Sequence, residues 1–292
     1  MRVNSTAIAS KTSLCPDFIA GYQHPFYASA FSEYGRPSQL ERTHGWLLVR
    51  AIQNTPWFDA MGCYPFFSCL NWDTLAEDIE ALKASCVAAT IVTDPFGTYT
   101  ENHLRAGFPD LLMEFKKHYV IDLTKTAESY VCNHHQRNAR KALKRVSVEN
   151  CDRPEQLIDE WLEIYGHIVR RYRLGGILAF SKNSFLQMLQ VPGIIVFRAI
   201  SGTQTVCMQL WYEQGDVAYY HLGASNDLGY ESKAAFAMFW TAIHYFTSRG
   251  FKWIGLGGGA GLHDKQENGL SRFKSGWANS HRTTYLCGRI LN

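Results

Sequence analysis

Residues 252–277 read KWIGLGGGAGLHDKQENGLSRFKSGW. The apolar run from Trp253 to Leu256 predicts a buried strand, and Gly257 to Gly261 a glycine loop. A polar bend then leads to a short helix that begins near Asn268 and carries Phe273 and Lys274. Gly255, Gly257 and Ala260 spell G-x-G-x-x-A, but a dinucleotide site needs that turn to open a long helix inside a βαβ unit. It also needs an acidic residue about 20 positions further on. Too little chain follows for either. No Gly-Lys-Ser/Thr completes a P-loop. The glycines therefore read as a place where backbone passes close to another element, which the missing Cβ permits.

Outward from this stretch, 292 residues fit one large domain or two ordinary ones. With 46% hydrophobic and 19% charged residues, the chain is expected to pack a globular core and not to be disordered. No apolar run approaches the roughly 18 residues of a membrane span, and the N-terminus lacks the apolar core of a secretory signal, so the cytoplasm is the expected location. A net charge of +3 neither demands nor excludes nucleic acid. The eight cysteines are scattered without a C-x-x-C pair, as expected of reduced thiols. Cys132 and His135 have ligand-like spacing, but no second pair of comparable spacing accompanies them, so no metal is expected.

In chain order, a short helix is predicted around His24 to Ser32, with strands at Trp46 to Ile52 and at Ala60 to Ser68, the latter interrupted by Pro65. A helix capped by Asp73 follows, then a strand from Cys86 to Val92, a short helix ending in LRAGF at 104–108, and a strand from His118 to Leu123. The second half repeats the order: strands at Ile194 to Ile200, Thr205 to Tyr212 and Val217 to Ala224, a long helix from Glu231 to Ser248, the Trp253 strand, the FKSGW helix end and a last strand from Thr283 to Ile290. SGW at 275–277 stands where AGF stands at 106–108. The prediction is an α/β chain with a mixed sheet, arranged as two similar lobes, 1–123 and 124–292, with a helical stretch from Glu128 to Met188 between the repeats.

This order resembles that of the GNAT acyltransferase superfamily. A tandem of two such lobes, with HHQRNARKALKR at 134–145 and GLSRFKSGW at 269–277, resembles its FemAB-like branch. The resemblance implies transfer of an acyl or aminoacyl group to an amine, with aminoacyl-tRNA or acyl-CoA as co-substrate and no permanently bound cofactor. The acceptor would be an amine-bearing small molecule, peptide or cell-wall precursor. It also implies that Lys274 lies at the reaction centre, where an ammonium would stabilise a tetrahedral oxyanion, with Phe273 fixing it by packing. The competing reading of Lys274 is a solvated helix lysine.

Other candidates follow from residue type and spacing. Arg137, Arg140, Lys141 and Lys144 fall on one helical stripe suited to phosphates, or to plain solvation. Gly257, Gly258 and Gly259 are expected to line the substrate cleft. Gly229 and Lys233 lie where acyl-CoA enzymes of the superfamily cradle pyrophosphate, but Glu231 would repel that group, which favours aminoacyl-tRNA. Tyr220 and His221 are candidate proton-transfer residues, or packing on a strand. A silent binding protein on the same fold is the alternative from another class.

Overall fold

The structure, a computed structural model, describes residues 19–261 and 269–292; Asn268, where the last helix was expected to begin, lies outside them. The strands are β1 Arg36–Gln39, β2 Trp46–Ala51, β3 Phe58–Gly62, β4 Ala88–Val92, β5 Leu111–Asp122, β6 Ser147–Asn150, β7 Ile194–Ser201, β8 Gln204–Gln214, β9 Val217–Ser225, β10 Trp253–Gly257 and β11 Ser280–Ile290. The helices are α1 Pro25–Ser29, α2 Leu75–Ala81, α3 Glu101–Gly107, α4 Ala127–Tyr130, α5 Asn133–Ala142, α6 Ile158–Tyr172, α7 Lys182–Leu189, α8 Asp227–Ser232, α9 Ala234–Ser248 and α10 Gly269–Ser275.

All eleven strands form one mixed sheet in the order β1-β2-β3-β4-β11-β5-β10-β9-β8-β7-β6. The expected repetition of element order is present in it. An antiparallel β1-β2-β3 run, α2, β4 parallel to β3, α3 and β5 are matched by an antiparallel β7-β8-β9 run, α9, β10 parallel to β9, α10 and β11. The last strands of the two series are exchanged: β5 pairs with β10, β11 pairs with β4, and β5 and β11 pair with each other from Ser280↔Val120 to Gly288↔Leu111. Each parallel pair thereby gains an antiparallel neighbour, so neither half ends in an open edge at the centre of the sheet. The sheet is therefore continuous.

Aliphatic and aromatic residues at helical spacing fasten the helices to this sheet. Ala237, Met238, Phe239, Ala242, Ile243 and Phe246 of α9 are buried in one cluster with Phe197, Trp211 and Ala218 of the strands beneath. The opposite face in this half is covered by Trp161, Ile164 and Tyr165 of α6 and Phe185 of α7, together with Tyr22, Tyr27 and Phe31. In the first half, α2 and α3 contribute Leu75, Ile79 and Leu104 to a third cluster.

Three local expectations are corrected. The helix expected from Glu231 to Ser248 is two helices, broken at Lys233, whose φ is 60°. Its first part is pinned against β8, where a Cβ on Gly229 would lie 2.1 Å from the Val206 carbonyl oxygen, and the chain must turn at Lys233 before α9 crosses the sheet. The strand expected to reach Ser68 stops at Gly62, ahead of a cis peptide at Tyr64–Pro65. Thr74, not Asp73, occupies the N-cap position of α2, with no side-chain capping bond.

Candidate active site

The parallel ladder between β9 and β10 runs from Trp253↔Val217 to Gly255↔Tyr219 and ends there. Beyond it the strands part, and the residues at that opening are those of the opening sequence stretch. Gly257 has φ +77°, a left-handed conformation that turns the chain out of β10, and a Cβ on it would lie 3.2 Å from the Lys274 amine. Gly258 passes over β5, where a Cβ would meet Lys116 Cδ at 3.1 Å and His118 Cδ2 at 3.4 Å. The glycine loop is thus held between α10 on one side and β5 on the other.

Lys274 is 6% exposed, and its Nζ donates to the Gly258 carbonyl oxygen at 2.7 Å. The Tyr220 ring lies 5.9 Å from the amine. Lys274 makes no salt bridge among the described residues. Burial, and then the neighbouring charge of Lys116, pull its pKa down to about 7. The amine is therefore divided between its charged and neutral forms at neutral pH, which a solvated helix lysine is not.

Lys116 and His118 were not singled out in the sequence. Lys116 Nζ donates to the carbonyl oxygens of Gly259 and Gly261, so two lysines hold successive carbonyls of one loop. His118 is 7% exposed, and burial, with Lys274 and Lys116 nearby, pulls its pKa to about 3, keeping the ring neutral. The signal for both was the Lys-Lys-His run at 116–118, set between Phe115 and the apolar Tyr119 to Ile121. Only the strand exchange carries that run from the first half of the sequence to the second-half loop.

The remaining candidates divide by location. Tyr220 faces α9, its ring 4.9 Å from Phe239 and 5.1 Å from Trp211, and burial raises its hydroxyl above the ordinary range. Between Leu210 and Trp211 of β8 the register shifts, so β9 carries an extra residue at His221. His221 lies on the other face of the sheet, among Tyr22, Tyr27 and Tyr212, with Nδ1 3.2 Å from the Tyr22 hydroxyl and Nε2 buried without a hydrogen-bond partner among the described residues. Burial there holds its pKa near 3. Lys274 and Tyr220 are brought together, and His221 is not with them.

On that second face Asp94 is also buried. It accepts hydrogen bonds from Ser68, the Tyr219 hydroxyl, Gln214 and the Phe96 amide, and burial nonetheless raises its pKa. These bonds join the end of β4 to β8 and β9, an anchor between the halves.

Phe273 packs against Phe236 and Phe239, with ring centroids 5.0 and 5.2 Å away, which seats α10 on α9. Arg137, Arg140 and Lys141 lie on the exposed face of α5, while Asn138, Ala139 and Ala142 are buried beneath. Lys233 Nζ donates to Asn138 Oδ1 at 2.8 Å, and the Gly229 amide donates to Asn226 Oδ1 at 2.9 Å. Gly229 thus spends its N–H on capping α8. In the first half, the repeat aligns Arg105 with Lys274, but Arg105 is exposed and paired with Glu101 at 2.6 Å. Among the described residues, the first half has no buried amine at the position equivalent to Lys274.

Residues 132–275 match the acetyltransferase (GNAT) domain family. No curated protein sequence matches the chain. Among solved structures, the crystal structure of FemX is similar over 96% of this chain and 93% of its own, at 16% identity and a TM-score of 0.65. The C-terminal domain (DUF2156) of a putative lysylphosphatidylglycerol synthetase from Agrobacterium fabrum is similar over 91% and 87%, at 13% identity and a TM-score of 0.64. L-PGS from Bacillus licheniformis is similar over 94% of each chain, at 13% identity and a TM-score of 0.61. The FemAB-like resemblance holds at the level of fold, and the GNAT match supports an acyltransferase. No helix among the described residues is long and apolar enough to cross a membrane.

Proposed function

We propose that this chain, built on a FemX-like fold, moves an aminoacyl group from aminoacyl-tRNA to an amine acceptor. The observation that carries the reading is the buried Lys274 amine, titrating near 7 at the mouth of the β9–β10 opening. In amide formation the acceptor nitrogen attacks the ester carbonyl, a C–N bond forms and the C–O bond to the tRNA ribose breaks. The proton lost by nitrogen ends on the departing oxygen. A lysine divided between its two forms serves both needs: the ammonium stabilises the oxyanion, and the amine relays the proton. Lys116 adds positive charge beside the same loop, and Tyr220 walls the amine on one side.

Residues 1–123 and 124–292 act, on this reading, as two lobes with the chemistry in the second. Arg137, Arg140 and Lys141 meet phosphates of the donor, and Gly257 to Gly259 line the substrate path. Two of the similar structures, the putative lysylphosphatidylglycerol synthetase domain and L-PGS, favour an aminoacyl group. The GNAT match keeps acyl-CoA as the second reading, with the thioester C–S bond breaking instead. Against it, the Gly229 amide is already committed to Asn226, which removes a donor from the pyrophosphate position. Charged tRNA implies the cytoplasm. The deciding experiment supplies a panel of amines with labelled aminoacyl-tRNA or labelled acyl-CoA and separates amide products. Product from aminoacyl-tRNA alone is expected. Product from acyl-CoA alone reverses the donor, and tight binding without product from either leaves a binding protein.

A further inference from the structure

Cys132 and His135 form a pair separate from the Lys274 amine. Cys132 is exposed and occupies the N-cap position of the 10-residue α5. Its Sγ lies 3.1 Å from His135 Nδ1, and His135 Nε2 lies 2.9 Å from the Phe273 carbonyl oxygen. A carbonyl only accepts, so Nε2 carries the ring proton and Nδ1 presents its lone pair to the thiol. The ring is fixed in that orientation. Trp277, Phe236 and Phe273 surround it with centroids 4.8, 5.0 and 5.4 Å away, and a Cβ on Gly276 would come within 2.3 Å of it. A nucleophile, a base in hydrogen-bond reach and a third group orienting that base are the arrangement that activates a thiol. The other described cysteines lack it. Cys63, Cys69, Cys86, Cys207 and Cys287 are buried, and burial pushes the thiols of Cys63, Cys151, Cys207 and Cys287 up to about 12.

We propose that Cys132 and His135 are a second reactive centre, a modification site at which a hydroperoxide oxidises Cys132 to the sulfenic acid. The thiol proton moves to His135 Nδ1 as the S–O bond forms and the peroxide O–O bond breaks. With hydrogen peroxide, the departing hydroxide takes that proton and leaves as water. Sulfur loses two electrons and the peroxide gains them. The consequence reaches α10, because the Cys132 amide also donates to the Gly276 carbonyl at 3.0 Å while His135 holds that of Phe273. Oxygen added at Sγ disturbs the two contacts that tie α5 to the backbone on either side of Lys274.

The test treats the whole folded chain with limiting iodoacetamide, or with hydrogen peroxide and a carbon-acid trap for sulfenic acids, and maps the modified peptides by mass. Cys132 is expected to react at least about tenfold faster than any other described cysteine. His135→Gln, which keeps a donor for the Phe273 carbonyl and removes Nδ1, is expected to slow Cys132 by roughly tenfold or more. Peroxide is expected to speed amide hydrogen exchange in residues 269–277 of the wild type and not of Cys132→Ser. Cys132 reacting no faster than a cysteine in an unfolded peptide of the same local sequence overturns the proposal, and that comparison stands even where His135→Gln fails to fold. Unchanged exchange in 269–277 after complete oxidation overturns the link to α10.

Discussion

Lys274 donates its hydrogen bond to the carbonyl oxygen of Gly258 at 2.7 Å from a site where water is nearly excluded and Lys116 is the charged neighbour. A carbonyl dipole compensates only part of the lost hydration of an ammonium, which is why the proton is held so loosely. The same relationship has a cost in stability and a use in chemistry.

The cost gives the first prediction. The folded pKa, about 7, lies below the ordinary lysine value of 10.5, so the unfolded chain binds more protons between those two values. On this group's account stability rises with pH across that window and is lowest below about 7. Lys274→Met, which keeps the packing and removes the charge, is expected to raise the melting temperature at pH 7 and below, by a free energy on the order of a few kcal/mol. The gain should shrink towards pH 10. A variant less stable than wild type at pH 6 contradicts the assignment.

The buried histidines act at the acid end. His118 and His221 both have pKa values lowered from 6.5 to about 3, so the unfolded chain takes up protons that the folded one refuses as pH falls through that range. Their contribution to stability is present above 6.5 and is lost as pH drops towards 3. His221→Asn keeps a polar group near the Tyr22 hydroxyl without a titrating ring. It is expected to show a shallower fall in melting temperature between pH 6.5 and 4 than the wild type, and parallel curves would contradict this.

The exposed stripe on α5 is tested by charge. If Arg137 and Arg140 meet the phosphates of a tRNA donor, changing both to glutamate weakens tRNA binding by at least about tenfold, and added salt weakens the wild type in the same direction. Filter-binding titrations at two salt concentrations decide it. Salt-insensitive binding that the double variant retains would assign the stripe to solvent.

The fold was legible in the order of its elements, because each half repeats the same alternation of hairpin strands, helix and parallel strand. The exchange of β5 and β11 was not, since a strand's apolar pattern is the same whichever neighbour it pairs with. That exchange is what brings Lys116 and His118 to the glycine loop, so the residues beside Lys274 were hidden together with the topology. Lys274 itself was found through the FKSGW end, but its burial was not, because one lysine in a seven-residue helix carries no sign of which face it takes. Tyr220 and His221 are adjacent on one strand and take opposite faces, as alternation expects, whereas the extra residue that β9 carries at His221 leaves no mark in the apolar pattern.

The measurement that bears most directly on the account is the rate of amide formation by Lys274→Met beside the wild type, with the donor and acceptor that give product. The account predicts a fall of roughly a hundredfold or more in turnover, the scale of losing one preorganised oxyanion donor, with the Michaelis constant changed much less. Arginine at 274 is expected to rescue poorly, since its planar fork places charge at a different reach and does not give up a proton near neutral pH. Turnover by a folded Lys274→Met within about twofold of wild type, the scale of an ordinary surface change, would show that the buried amine takes no part in the reaction.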